Sequence, residues 1–158
     1  MTSPVEPLMP EPVSGRFDGA LHRFAVRVYF EDTDLSGVVY HANYLRWFER
    51  ARSDMLRLLG IDQRAAQEAG EGAYAVADLT IRYLVPARLD DAVMIESRVE
   101  DLRKASCRMH QRALRGETLL SEARLRVAFV SPSGRPRAQP SAWLDAFAPI
   151  ASVPERTR

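Results

Sequence analysis

The 158-residue sequence is poor in several residue types, and each shortage narrows the possibilities. Cysteine occurs once, at Cys107, so no intrachain disulfide framework and no multi-cysteine metal site can form. Lysine also occurs once, at Lys104, and arginine supplies the remaining 21 of the 22 basic residues. These cations nearly balance 21 acidic residues, and a net charge of +1 offers a polyanion such as nucleic acid no field to follow. No apolar run approaches the ~20 residues of a membrane span. The N-terminus shows no basic segment followed by an apolar stretch, so a secretory signal is not expected and a cytoplasmic protein is. Phosphate-binding G-x-x-x-x-G-K-[ST], dinucleotide-binding G-x-G-x-x-G and zinc-binding H-E-x-x-H patterns are all missing, so neither a nucleotide cofactor nor a metal is expected.

What is present is periodicity. With 46% hydrophobic and 27% charged residues, the chain reads as one globular domain with a substantial core. Residues 1–20 carry Pro4, Pro7, Pro10 and Pro12 without apolar spacing, and are expected to be a disordered or loosely packed extension. A first strand is predicted over 21–30, with Val26, Val28 and Phe30 alternating against Arg27 and Tyr29. A long helix is predicted over 42–59, where Leu45, Phe48, Ala51, Met55 and Leu58 recur at helical steps and Gly60 ends the run. After a short helical turn within 61–72, period two takes over. Leu79, Ile81 and Tyr83 form one run before Pro86, and Val93, Ile95 and Val99 a second. Residues 107–114 form a third run, and Leu119 to Phe129 a fourth. A terminal helix over 141–147 is expected with Ser141 as its cap, and the domain is taken as 21–150 with a tail over 151–158. One long apolar helix followed by successive antiparallel strands is an α+β pattern.

The polar stretch between the first strand and the long helix holds the chemistry. It reads Tyr29-Phe30-Glu31-Asp32-Thr33-Asp34, then Gly37-Val38-Val39-Tyr40-His41 and Tyr44. Asp34 lies just before a glycine able to turn sharply and just upstream of a helix N-terminus, whose free N–H groups favour negative charge. A carboxylate placed there can act as a nucleophile or a general base, and the free N–H groups can stabilise a developing oxyanion. Asp32, two residues earlier, reads as a turn residue bonded to its local backbone. Glu49 on the helix is the rival carboxylate, but Arg46, Arg50 and Arg52 beside it suggest an ion-paired structural role.

This ordered set resembles the signature of the 4-hydroxybenzoyl-CoA thioesterase family, closest to its YbgC-like bacterial branch associated with the Tol–Pal envelope system. The likeness runs from about Phe24 to Phe147 and takes in Tyr83-Leu84-Val85-Pro86-Ala87-Arg88-Leu89-Asp90-Asp91 and Pro136-Arg137-Ala138. It implies a hot-dog fold, with an antiparallel sheet wrapped around the helix, and an acyl-CoA thioesterase. It makes Asp34 the catalytic carboxylate, as nucleophile or general base. It gives His41 a part in catalysis, through its backbone N–H or its imidazole, with Gly37 and Tyr40 shaping the turn. Tyr40 and Tyr44 are expected to line the acyl pocket, and Arg103, Lys104 and Ser106 to meet the phosphates of CoA. The resemblance further implies a homodimer or homotetramer with the site at a two-fold interface, and it admits acyl carrier protein as an alternative partner. Where this branch often has a tyrosine the chain has Phe30, so no phenol hydroxyl can act there. A non-catalytic acyl-CoA or acyl-carrier-protein binding module is the rival reading.

Overall fold

The computed structural model of the chain describes residues 9–152. Six strands form a single antiparallel sheet: β1 (Arg16–Asp18), β2 (Leu21–Arg27), β3 (Ala73–Tyr83), β4 (Ala92–Leu102), β5 (Ser106–Arg115) and β6 (Thr118–Val130). Their spatial order is β1-β2-β4-β5-β6-β3. The long helix α1 (His41–Leu58) lies on one face, with α2 (Gln63–Glu68) after it and α3 (Ser141–Phe147) near the end of the chain. This is the expected α+β hot-dog arrangement. No helix among the described residues is long and apolar enough to cross a membrane.

Of the residues whose helical spacing marked the apolar face of α1, Phe48, Ala51 and Met55 are buried, whereas Leu45 and Leu58 are exposed because the face centres on Tyr44, Trp47 and Phe48. Tyr44, Trp47, Phe48 and Ala51 pack with Val26, Val28, Val93, Ile95 and Leu120 beneath its first half. Met55 and Leu56 pack with Val99, Met109, Leu125 and Phe147 beneath the second. Phe48 is fully buried, and burying a side chain of that size contributes roughly 1.5–3 kcal/mol.

A polar row crosses this apolar underside. His22 on β2, Ser97 on β4 and Gln111 on β5 are cross-strand neighbours, all 0% exposed. His22 Nε2 lies 2.7 Å from Asp54 Oδ2 on α1. The Asp54 carboxylate also accepts from the Ser14 hydroxyl at 3.0 Å and the Gly15 N–H at 2.9 Å.

That clamp corrects the N-terminal boundary. The sheet starts at Arg16, so the extension expected over 1–20 does not reach residue 20, while residues 1–8 lie outside those described. Gly15 permits the approach, because a Cβ there would sit 2.3 Å from the Arg23 carbonyl oxygen. Other boundaries shift as well. β2 stops at Arg27 rather than residue 30, since the Asp32 N–H closes a turn on the Tyr29 carbonyl at 2.9 Å. β3 begins at Ala73, earlier than its apolar alternation, as the sheet edge with most side chains exposed. Ser141 is the first residue of α3, with Pro140 at the cap and no side-chain capping bond. At the far end the Ser152 N–H donates to the Val99 carbonyl at 3.0 Å, so the packed chain runs past residue 150. Residues 153–158 of the expected tail lie outside those described.

Candidate active site

The loop between β2 and α1 is fastened at both ends before its tip is shaped. Val28 exchanges backbone hydrogen bonds with the Asp90–Asp91 turn, at 3.0 and 2.9 Å. The buried Asp32 then ties loop to helix. Its carboxylate accepts from the Tyr29 N–H and from Asn43 Nδ2 in the first turn of α1, each at 2.7 Å, while its carbonyl accepts the Tyr40 N–H at 2.9 Å. The expected turn role of Asp32 therefore extends to the helix itself.

Inside that staple the tip folds as a small hairpin. Thr33 bridges Val39, and the Asp34 N–H donates to the Val38 carbonyl at 2.9 Å. Gly37 sits at φ 81°, the left-handed conformation its missing Cβ allows, and its N–H closes on the Asp34 carbonyl at 3.1 Å. The Asp34 carboxylate is exposed and accepts from the Ser36 hydroxyl and from the Ser36 N–H at 2.8 Å. These two bonds hold its pKa below the ordinary carboxylate value of 3.8, with small contributions from the Val38 backbone and the charge of His41. The expected stabilisation by the helix N-terminus is thus replaced mainly by a local serine.

Helix α1 starts at His41, one residue before the predicted 42, and ends at Leu58. Among the described residues no hydrogen bond engages the backbone N–H of His41 or Ala42, which are the groups a helix leaves free at its start. The exposed His41 ring lies 4.5 Å from that of Tyr40 and edge-on to that of Tyr83 at 6.1 Å. The Tyr83 hydroxyl donates to the His41 carbonyl at 2.9 Å. A pocket of about 200 Å³ opens here, lined by Val39, His41, Tyr44, Tyr83, Leu84 and Pro86 among others. Tyr44 contributes a buried ring edge, its hydroxyl accepting the Ala87 N–H at 3.0 Å, and burial pushes its phenol pKa up. Tyr40, also expected in the pocket wall, stands beside His41 and is not among the lining residues. Phe30 points to solvent at 83% exposure.

Sequence reasoning missed Asn43, Ser36 and Tyr83 as site residues. Asn43 follows His41 by two positions, and Ser36 follows Asp34 by two, the spacing of an Asx turn. Tyr83 carried no local signal of its own, because its reach to His41 depends on how β3 is placed.

The expected CoA-binding residues are not brought together with this loop. Arg103 and Lys104 form the turn between β4 and β5, and Ser106 opens β5, whereas the loop leaves the opposite end of β4 beside Ala92. Eleven residues of β4 separate the two ends, or roughly 30 Å at strand rise. Arg103 is paired with Asp101 at 2.9 Å. Glu49 forms none of its expected ion pairs among the described residues. Nor is any cluster of potential metal ligands found among them.

The model of the thioesterase-like superfamily matches residues 28–153. The acyl-CoA thioesterase YbgC of Haemophilus influenzae is 47% identical over 107 residues, spanning 68% of this chain and 79% of the relative. The acyl-CoA thioester hydrolase YbgC of Escherichia coli O6:H1 is 43% identical over 129 residues, 80% of this chain and 96% of the relative. Among solved structures, a probable thioesterase from Bartonella henselae superposes with a TM-score of 0.73 at 39% identity, covering 76% of this chain and 99% of that one.

Proposed function

Because the chain belongs to the thioesterase-like superfamily, as a YbgC-like thioester hydrolase, we propose that it cleaves acyl-CoA to a free acid and CoA at the loop before α1. The observation that carries this placement is the pairing of an ionised, outward-facing Asp34 with unengaged N–H groups at the start of α1. Asp34 either attacks the thioester carbon, giving a mixed anhydride and CoA thiolate that water then resolves, or takes a proton from the attacking water. In both routes the carbonyl oxygen becomes negative, and the N–H groups of His41 and Ala42 are the donors for it. One such donor is worth roughly 3–4 kcal/mol of transition-state stabilisation. The pocket beside Tyr44 and Tyr83 receives the acyl group, and Asp32 with Asn43 keeps loop and helix in register. Acyl-CoA is the substrate; acyl carrier protein is a further partner to test as thioester donor.

The CoA end needs a second copy of the chain. The β1 edge is only three residues long, whereas β3 leaves eleven residues open, with Val76 and Tyr83 exposed along it. An unpaired edge of that length is a template for another strand. Antiparallel pairing of two β3 edges about a two-fold axis reverses one sheet relative to the other. It thereby carries Arg103, Lys104 and Ser106 of the second copy towards the loop of the first, where they would meet CoA phosphates.

Thiol release from a panel of aliphatic and aroyl CoA thioesters tests the activity, and silence across the panel would leave a non-catalytic binding module instead. Light scattering is expected to give a dimer or tetramer at micromolar concentration; a fully active monomer would remove the two-copy site.

A further inference from the structure

The face of the sheet turned away from α1 carries a charge network that the loop site does not use. On β4, Glu96 and Arg98 alternate with the buried Ile95, Ser97 and Val99, and on β5 His110 and Arg112 alternate with the buried Met109, Gln111 and Ala113. The register sets Glu96 opposite Arg112 and Arg98 opposite His110. Together with Leu21 of β2, these four residues line a shallow pocket of about 140 Å³.

The carboxylates of this network are committed, and two of its guanidinium groups are not. His110 Nε2 lies 2.5 Å from Glu122 Oε1, and that bond, ahead of the charges of His110, Arg124 and Arg82, holds the Glu122 carboxyl below its ordinary value. Glu96 lies 3.6 Å from Arg23 and 3.5 Å from Arg112, so one negative charge serves two cations. Arg98 has no ion pair among the described residues. Arg112 reaches Glu96 only through Nη2, while its Nε–H is buried without a hydrogen-bond partner. A buried donor with no acceptor is costly, so this side chain gains from an anion towards which it can turn.

We propose that this pocket binds a phosphate group, held between Arg98 and Arg112 beside the His110 ring. The two arginines stand on a diagonal of the strand pair, about 7–8 Å apart at the backbone, so a tetrahedral anion can take a fork from each. A carboxylate, with two oxygens, fills one fork only. Arg23 offsets Glu96, which leaves a net positive charge facing the group. The pocket opens on the sheet surface, so the body of a phosphate monoester can remain in water, and inorganic phosphate presents the same chemistry. The site lies within β4 and β5, short of the turn that holds Arg103 and Lys104, and it does not rest on the function proposed above.

Calorimetric titration of the full chain at constant ionic strength, with chloride as the background anion, tests the site. One inorganic phosphate per chain is expected to bind, with acetate weaker by about tenfold or more. Tighter binding of glycerol 3-phosphate than of inorganic phosphate would assign the site to a monoester, and the reverse to the free ion. Arg98→Gln removes an exposed side chain with no ion pair to lose. It should weaken phosphate by about tenfold or more, with Arg98→Lys restoring part of the affinity. Arg112→Gln should weaken it by a similar factor. Two controls should leave the affinity within about twofold, since salt screens cations beyond the pocket: Arg108→Gln, next along β5, and the double variant Arg103→Gln with Lys104→Gln. Absence of saturable binding, or undiminished binding after both Arg98→Gln and Arg112→Gln, would overturn the proposal. So would an equal loss in Arg108→Gln, which would reveal a diffuse field, or a loss in the double variant, which would move phosphate to the turn.

Discussion

At its first turn α1 meets a loop whose catalytic candidates face solvent; three to four turns later the same helix is joined to the sheet by buried polar groups. The Asp34 carboxylate is exposed and bonded among the described residues only to Ser36 two residues away, and the His41 and Ala42 N–H groups have no partner among them. Asp54 is buried, and it accepts from Ser14, Gly15 and His22, residues 32 to 40 positions away. Nearby, Arg52 donates to Gln111, which donates in turn to Ser97. Both ends hold carboxylates and a histidine, yet one arrangement leaves hydrogen-bonding capacity open and the other uses it to join helix to sheet. Unsatisfied, accessible groups can act on a substrate. Satisfied, buried ones contribute to the fold, and breaking them exposes the cost of unpaired polar atoms.

Substitutions at the two ends should therefore separate turnover from stability. The largest effect is expected for Asp34→Asn, which keeps size but can neither attack a carbonyl nor take a proton: kcat should fall by at least ~10²-fold, with the melting temperature nearly unchanged. Retained turnover would detach the chemistry from the loop, and Glu49→Gln would be the next variant to assay.

Asp54→Ala should do the reverse. It strands the His22 ring, the Ser14 hydroxyl and the Gly15 N–H, and should cost about 3 kcal/mol, or roughly 6–12 °C in thermal melting. The kcat of the folded fraction should stay close to wild type. A melting curve unchanged by the substitution would show that the clamp does not hold in solution.

Asp32→Asn falls between the two ends. The amide can accept one of the two bonds the carboxylate now accepts and turns a donor towards the other, so a loss of ~1–2 kcal/mol is expected. Turnover should decline far less than in Asp34→Asn, and kinetics and calorimetry on one preparation would read both.

The smallest expected effect is on pH dependence. Ser36 lowers the pKa of Asp34, so the ionised form persists as pH falls, and the acid limb of kcat/KM should lie below the ordinary 3.8. Ser36→Ala removes the largest cause of that shift and should move the limb upward, reducing activity between the lowered value and 3.8 while changing little at neutral pH. Brief acid incubation followed by assay would separate titration from unfolding, and a limb unmoved by Ser36→Ala would assign it to another group.

The long helix and most strands were legible because burial on one face imposes a period, 3.6 residues for α1 and two for β4 and β6. The turn at Gly37 was legible for a similar reason, since glycine and the acidic residues act on neighbours within a few positions, whereas the hairpin it closes was not read. Tertiary structure decided the matters that depend on residues distant in sequence. It placed Asp32 against Asn43, tied Ser14 and Gly15 to Asp54 just ahead of β1, and left β3 as the open edge. It also put Arg103 and Lys104 at the opposite end of the sheet from the loop their motif suggested they would serve. Periodicity records which face of an element is apolar. Which polar group meets which across 30 or more residues is set by strand order and helix placement, and it emerges only when the whole core packs.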